Sequence, residues 1–193
     1  MLAIGLTSTE QVQSEEPGRT LDAYLARLAA GDTAALGGLY CATSTAVYGF
    51  ALSILKSPQD AEDVLCECYL RVHGAALHYR ACGKPLAWML TITRNLCLAR
   101  LQDRQRVVQP PEDWERYWEA QEALGPEDRL VLAECMRHLS DEERQIVVLH
   151  AVAGFKHREI ASLLSLALPT VLSKYHRALK KLQTLWEKGE RQT

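Results

Sequence analysis

Signals for β-structure are scarce in this chain. Only two of its 193 residues are phenylalanine, and its apolar residues recur at helical spacing instead of alternating with polar ones. A half-buried strand requires that alternation, so the pattern disfavours a sheet. Because 48% of the residues are hydrophobic, the chain still has enough apolar side chains for a core. The sequence therefore predicts an all-α fold.

Signatures of enzymatic and metal chemistry are also missing. The sequence has no Gly-rich phosphate loop and no evident pairing of a nucleophile with a base. Its six cysteines form no C-x-x-C pair, and none lies at zinc spacing with a histidine. We interpret them as small core residues in a reducing cytosol, where disulfides are rare. We therefore expect no enzyme activity, no cofactor and no metal.

Targeting segments are not evident either. The N-terminus lacks a basic region followed by an apolar run, which a secretory signal requires. No apolar stretch is expected to be long enough to cross a bilayer. We therefore expect a cytoplasmic protein without membrane insertion. Its formal net charge of −2 predicts only weak overall attraction to nucleic acid.

The charge is unevenly distributed, and this predicts the domain organisation. Residues 107–128 are densely acidic and hold a single basic residue, Arg116. Such a segment is typical of a flexible linker, and its length would let two domains sit apart. The sequence predicts two small helical domains joined by this acidic linker. The predicted boundaries are a mobile tail at 1–19, a first domain at 20–106, the linker at 107–128 and a basic second domain at 129–188.

The second domain has the pattern of a helix-turn-helix, in which a short helix, a turn and a longer basic helix follow one another. Apolar residues at helical spacing predict one buried stripe on the long helix: Val171, Tyr175, Ala178, Leu179, Leu182 and Trp186. Hydroxyl and cationic side chains lie off this stripe, where phosphates and base edges would lie: Thr170, Ser173, Lys174, Arg177, Lys180 and Lys181. A helical hairpin with a solvated basic face fits the segment equally well.

The helix predicted at 58–73 has an acidic face with one apolar residue. Asp63, Glu67 and Leu70 lie opposite its predicted core stripe. An exposed leucine among acidic residues is a candidate protein contact. Single exposed leucines are also common on protein surfaces, and the helix alone favours this simpler interpretation.

A third candidate site lies on the helix predicted at 85–104, which is apolar nearly all round and so central to its domain. One strip of this helix combines an aromatic side chain with polar and cationic ones: Trp88, Thr91, Arg94, Asn95, Leu98 and Gln102. Such a combination can stack on unpaired bases and contact phosphates. Ordinary packing explains the same residues at least as well when the helix is considered alone.

Together these segments resemble a bacterial sigma factor of the extracytoplasmic-function (ECF) type, in the sigma-70 family. The resemblance extends over about residues 21–185 and rests on short motifs in the family's order. These are LAAGDTAAL at 28–36, DAEDVLCE at 60–67, PLAWMLTITRNL at 85–96, LSDEER at 139–144, REIA at 158–161 and HRALKKL at 176–182. Each motif is modest alone, but the order and spacing are specific.

The resemblance implies partnership with core RNA polymerase and promoter DNA. The first domain would dock on the polymerase clamp helices, and the docking residues would be Asp63, Glu67, Leu70 and Arg71. The strip from Trp88 to Gln102 would melt the −10 element, and the loop 74–84 around Tyr79 would hold a flipped-out base. The helix-turn-helix would read the −35 element beside the polymerase flap. An anti-sigma factor is expected as a further partner.

The chain departs from the family pattern where DNA binding is concerned. Both glycines usual in the helix-turn-helix turn are absent from SLALPTVLSK at 165–174, so we expect a less tight turn. Leu172 replaces a basic residue, and Lys156 stands where a capping Ser or Thr is usual. These changes predict weaker DNA affinity or an unusual recognised sequence.

Three functions are compatible with the sequence. The first is a dissociable sigma subunit that directs RNA polymerase to promoters. The second is a sigma-like regulator that binds DNA through its helix-turn-helix but has lost promoter melting. The third is a helical adaptor whose exposed apolar strips bind only protein. DNA binding and DNA melting distinguish the three.

Overall fold

The computed structural model describes residues 17–81, 83–104 and 136–190, and every regular element within those ranges is helical. The helices are α1 (Pro17–Ala29), α2 (Ala35–Leu55), α3 (Pro58–Ala75), α4 (Pro85–Arg104), α5 (Asp141–Ala151), α6 (His157–Leu164) and α7 (Leu168–Glu190), with a 3-10 turn at Ala76–His78. This confirms the predicted all-α fold. The predicted linker at 107–128 and most of the predicted tail lie outside the described residues, although α1 begins inside the tail at Pro17.

Local capping signals explain where two helices begin. The Ser57 hydroxyl accepts a hydrogen bond from the Asp60 N–H at 3.4 Å, and Pro58 occupies the first position of α3. At α5 the Ser140 hydroxyl accepts from the Glu143 N–H, while the Glu143 carboxylate accepts from the Ser140 N–H. Helix α3 ends at Ala75, two residues beyond its predicted end at residue 73, and therefore includes Gly74.

Helix α2 is the centre of the fold and packs against α1, α3, α4 and α5. It is long and apolar enough, by length and composition alone, to cross a membrane. The expectation that no such stretch exists was therefore wrong. However, 56% of its most apolar 18-residue window is buried by other parts of the fold. Leu39, Val47 and Phe50 are fully buried, as in the central helix of a helical domain.

The described cysteines divide into two pairs. Cys68 and Cys97 are buried, and burial raises the pKa of the Cys97 thiol to about 12. They are the small core residues that the sequence predicted. Cys41 and Cys66 are exposed, so the prediction was wrong for them: each lies on the outer side of its helix. Cys82 and Cys135 lie outside the described residues.

The N-terminal helices α1–α4 and the C-terminal helices α5–α7 touch one another. Helix α5 packs along α2, and α6 contacts α4. Two ion pairs flank these contacts, Lys56 to Asp141 at 2.6 Å and Lys84 to Glu159 at 3.4 Å. Buried side chains form one continuous cluster that includes both sets of helices. The separation that the linker length would permit is therefore not adopted in this structure.

Candidate nucleic-acid and polymerase interfaces

The turn of the helix-turn-helix closes without glycine. Ser165 ends α6 in the left-handed conformation, with φ 57° and ψ 39°. The Leu166 N–H donates to the Ala161 carbonyl at 2.9 Å, as in a glycine-ended helix. The expectation of a less tight turn was therefore wrong. Serine instead adopts the strained conformation that glycine would adopt at little cost.

The buried side of α7 is narrower than predicted. Val171 and Ala178 are fully buried, and Tyr175 and Leu182 pack against the core while partly exposed. Leu179 is 42% exposed, so it does not belong to the buried stripe. At about 100° per residue it lies roughly 80° from Val171 around the helix, at the edge of the contact. The Trp186 side chain lies outside the described residues.

The predicted DNA-contacting side chains of α7 fall into two groups. Ser173, Arg177 and Lys180 are exposed, and Thr170 at the helix start is partly exposed. The Arg177 guanidinium donates back to the Ser173 carbonyl at 3.3 Å. Lys174 and Lys181 instead pair with carboxylates of α5, as Nζ of Lys174 lies 2.5 Å from Glu142 and Nζ of Lys181 lies 2.7 Å from Glu143. A phosphate would compete with Glu142 and Glu143 for these two cations.

Glu143 is a residue whose full role the sequence did not reveal. Its buried carboxylate caps α5 and also accepts a hydrogen bond from Lys181. Burial raises the pKa of this carboxyl, but hydrogen bonds from Lys181 and Ser140 outweigh burial and hold the pKa below its usual value. The capping motif was visible as a local pattern, whereas Lys181 lies 38 residues away.

The predicted strip on α4 does form one side of that helix. Thr91, Asn95, Leu98 and Gln102 are exposed, whereas Trp88 and Arg94 are partly buried. The Trp88 ring packs against Tyr79, with ring centroids 4.8 Å apart. The loop after α3 and the α4 strip, predicted separately, are thus brought together by an aromatic pair.

Tyr79 is fixed at its other end by α1. Its hydroxyl donates to the Asp22 carboxylate at 2.7 Å. No local sequence pattern pointed to Asp22, because 57 residues separate it from Tyr79. Because this hydrogen bond restricts rotation of the Tyr79 side chain, it anchors the loop at Tyr79. Arg80 and Ala81, which follow in the loop, are exposed.

The outer face of α3 presents Leu70, which is 72% exposed. Around it the carboxylates are paired within the fold: Glu67 with Arg71 at 3.0 Å, and Asp63 with Arg100 at 3.0 Å. The predicted face is therefore apolar at its centre and rimmed by ion pairs. Leu77 in the 3-10 turn is a comparable exposed leucine, at 74%, and no sequence pattern marked it in advance.

Metal-binding chemistry has no candidate within the described ranges. No group of three or more His, Cys, Asp or Glu side chains there is placed to hold a metal ion. The arrangement offers surfaces for macromolecules: an exposed cationic helix, an aromatic-polar strip and an apolar centre on α3.

Two family models match separate parts of the chain. The model of sigma-70 region 2 matches residues 39–107, and that of sigma-70 region 4 matches residues 129–182. The first match covers α2 to α4 with their candidate strips, and the second covers the helix-turn-helix.

Proteins of similar sequence extend the match to nearly the whole chain. The ECF RNA polymerase sigma factor SigK of Mycobacterium ulcerans (strain Agy99) is 32% identical over 181 residues, which cover 86% of this chain and 95% of that protein. SigK of Mycobacterium bovis (strain BCG / Pasteur 1173P2) is 31% identical over 175 residues, covering 84% of this chain and 91% of the relative.

Solved structures share the fold at lower identity. CnrH in complex with the cytosolic domain of CnrY has a TM-score of 0.63 at 22% identity, covering 88% of this chain and 98% of that chain. The sigma factor RpoE in complex with the anti-sigma factor NepR from Bartonella quintana has a TM-score of 0.61 at 22% identity, covering 77% and 94%. With the sequence relatives covered almost end to end, the chain belongs to the ECF group of the sigma-70 family of RNA polymerase sigma factors.

Proposed function

We propose that this chain is a sigma subunit that directs core RNA polymerase to specific promoters and initiates transcription there. One observation carries the proposal: the same chain presents a helix-turn-helix and, on α4, an exposed strip that adjoins an aromatic pair. A regulator that only binds duplex DNA needs the first feature but not the second. A sigma subunit uses both, because it must recognise duplex DNA and hold separated strands.

In this proposal each part of the chain has a separate task. Residues 20–106 form the domain that binds polymerase and opens the −10 element, residues 107–128 form the linker, and residues 129–188 form the domain that reads the −35 element. The clamp helices of polymerase would cover Leu70 and its ion-paired rim of Asp63, Glu67 and Arg71. Apolar centres with polar rims are typical of protein interfaces.

The promoter contacts are divided between α4 and α7. Single-stranded bases would stack on the Tyr79–Trp88 pair, with Thr91, Arg94, Asn95 and Gln102 along the strand. Duplex DNA would meet Thr170, Ser173 and Arg177 near the start of α7, and phosphates would meet Lys174, Lys180 and Lys181. The chain would act without chemistry of its own, in the cytoplasm, where polymerase is found.

An anti-sigma factor is a further proposed partner. The two solved structures named above are complexes, of CnrH with the cytosolic domain of CnrY and of RpoE with the anti-sigma factor NepR. The exposed Leu70 and the cationic side of α7 are surfaces on this chain that an apolar and acidic inhibitor would fit.

A second candidate function is a DNA-binding regulator without melting activity. It is favoured by the weakened basic face of α7, where Leu172 is 37% exposed and Lys174 and Lys181 are paired with α5. Such a protein would bind duplex DNA but leave it closed.

Transcription from a promoter library with purified core polymerase and this chain tests both functions. New transcripts and permanganate-reactive thymines near −10 are the expected result. Duplex binding without reactive thymines would favour the regulator. If DNA binding and transcription are both absent while polymerase is bound, the chain is an adaptor and both DNA-based functions are refuted.

A further inference from the structure

Three aromatic side chains from three helices meet beneath α7, and none of them belongs to the proposed DNA or polymerase contacts. His150 lies in the last turn of α5, His157 begins α6, and Tyr175 lies on α7. The two imidazoles are stacked with centroids 4.5 Å apart, and Tyr175 contacts each ring edge-on at 4.8 Å. This cluster is the only ring contact in the described residues that joins all three helices of the C-terminal unit.

His150 has a defined proton position. Its Nδ1 lies 2.8 Å from the carbonyl oxygen of Phe155. A carbonyl oxygen can only accept, so Nδ1 carries the proton and donates it. This bond closes the loop between α5 and α6 and fixes the plane of the ring against which His157 stacks.

His157 is suited to the neutral state only. Its Nε2 is buried without a hydrogen-bond partner, and a protonated Nε2 would have nothing to donate to. Burial lowers the pKa of His157, and the neighbouring His150 and His176 lower it further. The ring also lies at the first position of α6, where the helix dipole disfavours a cation.

Other charged groups around the cluster do not compensate a cation. The flanking charged residues are Lys156, Arg158 and Glu159 at the start of α6, Lys174 and His176 on α7, and Lys84 just before α4. Glu159, the carboxylate among them, already accepts from the Lys156 N–H at 3.1 Å and pairs with Lys84 at 3.4 Å. On α5 the acidic residues lie in the first turn, at the end opposite His150.

We infer that His157 is a positioning residue whose neutral ring supports α7 through Tyr175, and that acid loosens the helix-turn-helix by protonating His157. A proton on Nε2 of His157 would be a buried donor without an acceptor, so protonation favours moving this ring out of the stack with His150 and removes the surface on which Tyr175 rests. The expected loss of promoter binding in acid rests on the proposed function. The expected loosening of α6 and α7 does not depend on it.

The direction of the pH effect follows from the lowered pKa. The unfolded chain binds a proton at about pH 6.5, and the folded chain binds it only at lower pH. The contribution of His157 to stability is therefore fully present above about pH 6.5 and is lost as the pH falls below that value.

Hydrogen–deuterium exchange of the full chain, corrected for intrinsic rates, tests this inference at about pH 7.5 and about pH 5.5, a range in which ordinary histidines titrate and carboxylates do not. The compared chains are the parent, His157→Phe and His78→Gln. Phenylalanine keeps a ring and removes the unpartnered nitrogen, whereas His78 is an exposed histidine outside the cluster. We expect acid to raise exchange in α6 and α7 several-fold in the parent and in His78→Gln, but not in His157→Phe.

The same rise in His157→Phe, or no rise in the parent, would overturn the inference. If His157→Phe does not fold, an NMR titration of the parent decides instead. A His157 midpoint below the ordinary histidine value of about 6.5 supports the inference, and an equal or higher midpoint overturns it. None of these measurements uses DNA, so a failure of the proposed promoter function leaves them interpretable.

Discussion

At the scale of single residues, Glu143 joins the start of α5 to the far part of α7 through one buried carboxylate. We predict that Glu143→Gln lowers the free energy of unfolding by about 1–3 kcal/mol at neutral pH, because a buried charge-assisted hydrogen bond is lost. Glu142→Gln is the matched control, since the Glu142 carboxylate is exposed and its pair with Lys174 should contribute about 1 kcal/mol or less. Urea unfolding measures both.

The stability difference between the parent and Glu143→Gln should depend on pH, because the pKa of the Glu143 carboxyl is lowered in the folded chain. The stabilisation is present above the ordinary glutamate value of about 4.3 and is lost as the pH falls through the folded pKa. The gap between the parent and Glu143→Gln should therefore narrow in acid. A gap that stays constant from neutral pH to about pH 3.5 would contradict the assignment.

Leu70 is the residue on which the proposed polymerase contact depends. We predict that Leu70→Ala combined with Glu67→Lys weakens binding to core polymerase by tenfold or more, about 1.4 kcal/mol. Stability should change little, because Leu70 is exposed. Leu77→Ala removes an equally exposed leucine outside the proposed contact. Equal affinity of the double variant and the parent in a pull-down would refute the contact, as would an equal loss in Leu77→Ala.

At the scale of elements, two adjacent glycines in α2 differ sharply in their surroundings. A Cβ on Gly38 would collide with the ring of Tyr24 from α1, whereas one on Gly37 would meet nothing within 4 Å. We predict that Gly38→Ala destabilises the fold by about 1–3 kcal/mol through overpacking. Gly37→Ala should stabilise it by about 0.5–1 kcal/mol, because alanine favours a helix. Thermal unfolding of both variants measures the sign of each stability change. If both changes have the same sign, α1 does not pack against α2 as described.

The strip on α4 is the element that distinguishes melting from mere DNA binding. We predict that Arg94→Ala with Asn95→Ala leaves polymerase binding intact but lowers open-complex formation on duplex promoters. Opening costs roughly 1–2 kcal/mol per base-pair step, which contacts to single strands must offset. A pre-melted bubble should restore most activity. Permanganate probing measures the effect, and normal opening by the double variant would make the strip structural.

Which elements were predictable from sequence depended on the range of the interactions that form them. The starts of α3 and α5 were predictable because Ser57 and Ser140 act on residues three positions away. The exposed side of α4 was predictable because one helix fixes its own faces. The pairs Tyr79–Asp22 and Lys181–Glu143 were not, since they join residues 57 and 38 positions apart. Leu179 was misplaced because periodicity marks the centre of a buried stripe better than its edge.

At the scale of the whole molecule, the contact of α2 with α5 joins the two sets of helices in one apolar cluster. We predict that the free chain unfolds in a single transition, with calorimetric and van't Hoff enthalpies that agree. Lys56→Glu, which places like charges at the Asp141 contact, should lower the midpoint slightly, since exposed pairs contribute about 1 kcal/mol or less. Arg27→Glu is the matched control, because it breaks the exposed Arg27–Asp32 ion pair within the N-terminal helices and leaves the contact between α2 and α5 unchanged. Two separate transitions in the parent would show that the units are independent.

The composition of α2 has a consequence for the life of the chain in a cell. Whenever α5 leaves its place, the side of α2 that it covered faces water, and this helix is apolar enough to pass for a membrane segment. Chaperones and quality-control proteases act on such surfaces. The opened chain would then have a short half-life unless a partner captures it first. The abundance of this chain would then follow the supply of free partner, because copies in excess of the partner would be degraded.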